Sequence, residues 1–328
     1  MGMPQRDTDS KPEVLDDRRK LAIVFGGLAG ALVATIAGFV VFRFGLYPDD
    51  FNSYGTSTFL LTPVAVGFVS AATARAFSLS ARPPTYEAAA VAVGMGLCLF
   101  LLSGFEGIVC MVMAAAIVLP AAFVGVVLEY CIHGLIGGRA NATVLPLLLV
   151  AAAYDAKRVP AAAECTETTD VVINAPAEKI WPYLFNLSGV EDNDPLLRLG
   201  FAHPTSVWTN GNQRFCNLTT GSMPEVVEKA VPDRLLQFKI LNTPPSMVET
   251  NPFHAVHAPH VNGYYQCETG SFYLTPLGGG RTLLQGVSTY RFRIYPAPYW
   301  RLWTDSIVEH VHRTVMNRIK ELAESPSS

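Results

Sequence analysis

The most unusual polar feature of the sequence is His254-Ala-Val-His257-Ala-Pro-His260, three histidines at three-residue spacing. Neutral imidazole is a common metal ligand and, near neutral pH, a general base. Pro252 and Pro259 deny the segment a regular helix, so the spacing does not set three rings on one face. Glu249 and Glu268 are the acids that could steady an imidazole there. An exposed loop therefore ranks ahead of acid–base or gating work, and a metal site ranks last. His260 is the strongest single candidate, because it leads into the aromatic pair Tyr264 and Tyr265. The six cysteines, Cys98, Cys110, Cys131, Cys165, Cys216 and Cys267, show no metal-ligand spacing and are too few for a disulfide scaffold. No Ser–His–Asp order, phosphate-binding glycine loop or nucleotide fingerprint is present, so no metal or cofactor is assigned.

Aromatic side chains gather late in the chain: Tyr264, Tyr265, Phe272, Tyr273 and Tyr290. In a strand, alternate residues share a face, so Tyr265 and Cys267 lie together while Tyr264, Gln266 and Glu268 point the other way. An inward odd face would put Cys267 in the wall of an interior. Core packing is the ordinary role of such aromatics, and of Trp181. Arg214, Arg291 and Arg293 could clamp an anionic head group, although solvated roles are commoner for strand arginines. Lys229 and Lys239 are ordinary strand lysines.

The elements that position these residues occupy the C-terminal half. Thr169–Ile173 is β-branched and reads as a strand, and Ala177–Leu187, after Pro176, reads as a short helix with Ile180, Trp181, Leu184 and Phe185 on one face. Strand-like runs follow at 206–209, 213–219, 224–231, 235–241, 264–275 and 282–293, punctuated by Asn210-Gly211 and Gly278-Gly279-Gly280. A long amphipathic helix closes the chain from about Pro298 to Glu324. Its apolar stripe reads Trp303, Ile307, Val311, Val315, Ile319 and Leu322. An antiparallel sheet with helices on one face is an α+β arrangement, and a sheet curved around a helix can enclose an apolar cavity.

The opening Thr169-Asp-Val-Val-Ile-Asn-Ala-Pro-Ala-Glu-Lys-Ile-Trp181, the Gly278-Gly-Gly-Arg-Thr-Leu-Leu hairpin and the terminal helix resemble the START/polyketide-cyclase (SRPBCC) superfamily over about residues 167–324. The resemblance implies a helix-grip fold, a curved antiparallel sheet around a long C-terminal helix. It implies no universal catalytic residue, because that superfamily spans carriers, cyclases, dehydratases, hydrolase-like members and binders. Asp194-Pro-Leu-Leu-Arg-Leu-Gly-Phe201 and the preceding apolar half resemble bacterial membrane proteins that end in such a domain. Candidate cavity residues are Trp181 and Phe185 on the first helix and Phe215 on an early strand. His260, Tyr265, Cys267 and Tyr290 join them from the late strands, and Trp303, Ile307 and Val311 from the last helix.

The N-terminal half is short of charge: residues 21–155 hold ten charged side chains, the same number as residues 1–20. Leu21–Phe42 is 22 residues without a charge, and Thr56–Ala74, Ala88–Gly104 and Gly107–Leu128 add runs of 19, 17 and 22. Each approaches the length that crosses a hydrocarbon core of about 30 Å. Ala140–Tyr154, 15 residues with Pro146 inside, is short for a span; it either crosses or lies as a re-entrant or interfacial helix. The expected organisation is a tail 1–20, a bundle of four or five transmembrane helices over 21–154, a linker 155–166 and the α+β domain over 167–324. Gly26, Gly30, Ala34 and Gly38 form a small-residue stripe that suits close helix packing, with a dimer seam as the alternative.

Five basic residues in the tail place the N-terminus in the cytoplasm. A crossing fifth segment, the expected case, then puts the C-terminal domain outside; four spans return it to the cytoplasm. The net charge of −3 gives no basic footprint for nucleic acid. The expected function is a membrane-anchored binder of a hydrophobic or lipid-like small molecule. An enzyme of cyclase, dehydratase or hydrolase type, or an interaction module with a filled cavity, are the alternatives, and the oligomeric state is open.

Overall fold

The structure is a computed structural model that describes residues 10–43, 54–136, 161–191, 193–256 and 258–325. The chain divides into two compact units after Val159, with Asn251–Val256 belonging to the first. Among the described residues the first unit holds four helices: α1 (Ser10–Arg43), α2 (Thr62–Phe77, entered through a π-helical turn Ser57–Leu61), α3 (Thr85–Ser103) and α4 (Ile108–Ile136). Among the described residues, four helical stretches are long and apolar enough to cross a membrane: Asp16–Gly38, Ser57–Phe77, Thr85–Ser103 and Ile108–Leu135. The doubtful segment 140–154 lies outside the described residues.

The small-residue stripe of α1 is consumed inside this unit. A Cβ on Gly30 would sit 2.0 Å from Ser70 Oγ and 2.7 Å from Ala92 Cβ, so α1 approaches α2 and α3 more closely than any larger residue permits. Helix α4 runs past the expected end at Leu128 and takes in Glu129. That carboxylate is 1% exposed and receives both Arg75 Nε and Nη2 at 2.8 Å, so the buried charge is paired within the unit.

The second unit is a seven-stranded sheet in the order β1-β7-β6-β5-β4-β3-β2, every pair antiparallel. Its strands are β1 (Ala163–Ile173), β2 (Pro204–Asn210), β3 (Gln213–Leu218), β4 (Gly221–Val231), β5 (Leu235–Ile240), β6 (Tyr265–Gly278) and β7 (Arg281–Phe292). Helix α5 (Ala177–Phe185) follows β1, and α6 (Ala297–Glu324) closes the chain. An antiparallel sheet gripping a long C-terminal helix fits the helix-grip fold. Strand β1 begins at Ala163, within the stretch read as linker, because Ala163 to Ile173 pairs residue for residue with β7 from Phe292 back to Thr282.

One core joins both helices to the inner face of the sheet. Ile180 and Leu184 of α5 and Val315, Met316 and Ile319 of α6 meet Ile173, Leu236, Phe272 and Leu284. The buried face of α6 is Trp300, Val308, His312, Val315, Met316, Ile319 and Ala323, rotated from the stripe read in sequence. Gly286 explains the rotation: a Cβ there would lie 3.1 Å from Met316 Sδ, so the missing side chain seats Met316 and with it His312. Trp303, Ile307 and Val311 are left half-buried on the flank of that contact.

Candidate functional site

Pairing with β7 fixes which side chains of β6 face the helix. Tyr265 opposes Phe292 and Cys267 opposes Tyr290, and both partners are buried, so the odd face of early β6 points inward. A bulge between Cys267 and Thr269 then shifts the alternation, and Phe272 and Leu274 become the inward residues. Three sequence candidates are thereby brought together. The Tyr265 and Tyr290 rings lie 5.2 Å apart, and the Cys267 thiol donates to Tyr265 Oη at 3.3 Å. Tyr290 Oη in turn donates to Asp305 of α6, and Thr304 Oγ1 lies 3.2 Å from that hydroxyl.

These groups stay uncharged near neutral pH. Burial pushes the Cys267 thiol up to about 11 and the Cys216 thiol up to about 12. Burial also raises both tyrosines, Tyr290 further through its bond to Asp305. A protonated thiol is a poor nucleophile, so the interior offers neutral donors and acceptors instead of an activated sulfur.

Two further polar sets lie on the inner face. Arg214 of β3 and Glu225 of β4 form a buried ion pair; Arg214 Nε also donates to Leu184 O at 3.1 Å, and its guanidinium stacks 4.3 Å over Phe238. Burial raises the Glu225 carboxyl and Arg214 opposes that rise. Arg214 is thus satisfied by its own fold and is no free clamp. The second set is His312, whose Nδ1 lies 3.0 Å from Thr169 Oγ1 and Nε2 2.7 Å from Ser288 Oγ. Burial lowers this imidazole to about 4, so it is neutral. A serine beside a neutral imidazole suggests nucleophilic chemistry, but β7 is paired on both edges and its amide groups are committed to the ladder. The triad braces α6 against β1 and β7.

The remaining candidates divide. Trp181 and Phe185 meet edge to face at 5.2 Å and pack against the core. Phe215 lies on the outer face, stacked 4.2 Å from Trp208, because Arg214 and Cys216 on either side of it point inward; this corrects its place among the cavity residues. His260 sits in a 3-10 turn (Pro259–Val261) with Nε2 3.4 Å from Glu249 Oε1, one of the two acids considered from sequence. The other, Glu268, pairs with Arg291 instead. His254 belongs to the first unit, and His257 lies outside the described residues. The Asp194 stretch anchors a loop to α6: Asp194 Oδ1 accepts from the Leu196 and Leu197 amides, and Oδ2 meets His310 Nδ1 at 2.6 Å.

A cavity of about 520 Å³ opens where β5 ends and β6 begins, lined by 239–243, 266–269 and Arg291. Pairing of β5 with β6 stops at Lys239 and Thr269, and beyond it Thr243 Oγ1 takes the Cys267 amide at 3.0 Å. The strands part there, and Ile240 and Cys267, both in contact with the core, form the inner wall.

No protein-family model matches this chain. No curated protein matches it either. Solved structures similar to it include norcoclaurine synthase from Thalictrum flavum, at 10% identity over 52% of this chain and 99% of that one, with a TM-score of 0.32. An uncharacterised protein from Bacillus thuringiensis is 13% identical over 49% of this chain and all of its own (100%), with a TM-score of 0.33. A conserved protein from Geobacillus kaustophilus is 14% identical over 49% and 97% of the two chains, with a TM-score of 0.32.

Proposed function

We propose that this chain is a membrane-anchored binding protein whose helix-grip domain takes an apolar or lipid-like small molecule. The cavity of about 520 Å³ at the parting of β5 and β6 carries this reading, since its volume is that of a small-molecule pocket and its inner wall touches the core. Cys267 supports it as a neutral hydrogen-bonding group in that wall, which tolerates an apolar guest with one polar function. The four apolar helices support the anchor. Catalysis of cyclase, dehydratase or hydrolase type has weaker support, because the interior thiols are held protonated. A domain on the non-cytoplasmic side is part of this reading, supported by the basic tail and by the apolar sequence of 140–154.

Native mass spectrometry of the full-length protein, released from detergent, tests the binding reading. A non-protein mass should accompany the wild type and be lost in Cys267→Trp, which fills the inner wall, while circular dichroism stays unchanged. A wild type that carries no adduct, even after incubation with 1-hexanol, would sink the proposal.

A further inference from the structure

The lining of the β5–β6 cavity is not electrically neutral. It contains two cations, Lys239 and Arg291, and one acid, Glu268. Arg291 is already engaged: its Nε and Nη2 donate to Gln266 Oε1 at 3.0 and 2.8 Å, and Nη1 lies 3.3 Å from Glu268 Oε1. That pair balances itself. Lys239 is exposed, and among the described residues its ammonium meets no carboxylate and makes no hydrogen bond. The Asn242 amide beside it is likewise uncommitted. Sequence alone reads Lys239 as an ordinary strand lysine, and on an open sheet face it would be one. Here it borders a cavity whose only acid is spoken for, which leaves one positive charge in excess at a partly enclosed mouth.

Beyond the polar Thr243, Gln266 and Thr269, the remaining lining groups are apolar. Leu241 is 61% exposed at the rim, and Ile240 and Cys267 continue inward to the core. An apolar chain laid along these three residues would cover Leu241, and an oxyanion at its outer end would reach Lys239 and the Asn242 amide. We infer that this mouth selects an aliphatic carboxylate, an amphipathic monoanion whose chain enters between β5 and β6 while Lys239 holds its head. The inference rests on the reading that the cavity holds a ligand, and adds the class of that ligand. One positive charge matches one negative charge, and a charge-assisted hydrogen bond is about twice as strong as a neutral one.

Hexanoate and 1-hexanol share a chain and differ in charge, so the pair separates the two ideas. Each is titrated calorimetrically into the full-length protein in phosphatidylcholine nanodiscs, with empty nanodiscs as background. Hexanoate should bind three- to tenfold more tightly than hexanol; Lys239→Gln should erase that preference and Lys239→Arg should keep it. Equal binding of the two probes, or a preference that survives Lys239→Gln, overturns the carboxylate inference and leaves the apolar site standing. If neither probe binds, the ligand-binding reading itself fails.

Discussion

His312 should make the C-terminal unit sensitive to acid, and the size of the effect follows from its surroundings. The ring is buried between Thr169 and Ser288, and burial lowers it from 6.5 to about 4. The unfolded chain therefore binds a proton between about pH 6.5 and pH 4 that the folded chain refuses. Stability from this residue is fully present above pH 6.5 and is lost as the pH falls through that window. The linkage relation gives about 2 kcal/mol lost between pH 8 and pH 5, rising to about 3 kcal/mol at pH 4. Neighbouring groups modify the slope. Glu309 favours the charged imidazole. Glu167, raised by burial and by Asp305 and Glu309, contributes in the opposite sense near its own titration. Comparison with His312→Gln removes these shared contributions. All four tryptophans, Trp181, Trp208, Trp300 and Trp303, lie in the second unit, so urea unfolding of the full chain followed by tryptophan fluorescence reports that unit. The wild type should lose about 2 kcal/mol more than His312→Gln between pH 8 and pH 5. Equal losses in the two proteins would refute the argument that the ring is buried uncharged.

Two other outcomes follow from charge and from chain topology. Removing one partner of the buried Arg214–Glu225 pair leaves an uncompensated charge, so Arg214→Leu should destabilise the second unit by about 3–5 kcal/mol. The double replacement Arg214→Leu with Glu225→Leu should cost clearly less in the same urea assay; equal costs would mean the pair is not buried as described. A cysteine at Ser325, in a background lacking the native cysteines, should react with a membrane-impermeant maleimide on intact cells. Labelling that requires opened cells would place the domain in the cytoplasm.

Periodicity and composition by themselves located the four apolar helices, the strands after 200, the short helix behind Pro176 and the long terminal helix. Those features arise from local patterns of apolar residues, glycine and proline, which one stretch of chain carries whole. The pattern was weaker where a partner elsewhere decides the outcome. Glu129 reads as the end of a span, yet α4 runs on to Ile136 with that carboxylate paired to Arg75, 54 residues away. The apolar stripe of α6 reads one way along the helix, but the vacancy at Gly286 on β7 turns Met316 and His312 inward. Phe215 reads as an inward aromatic, and the pairing of β2 with β3 puts it outside against Trp208. For the site the division is similar. Tyr265 and Cys267 could be set on one face from alternation, because side chains on a strand have period two, while Tyr290 reads only as an aromatic of a late strand. Their meeting depends on the register of β6 with β7, which joins residues more than twenty positions apart. Lys239 carried no signal in sequence at all. Its role as an unmatched charge exists only because β5 and β6 part beyond it and Glu268 turns to Arg291, and both are facts of tertiary pairing.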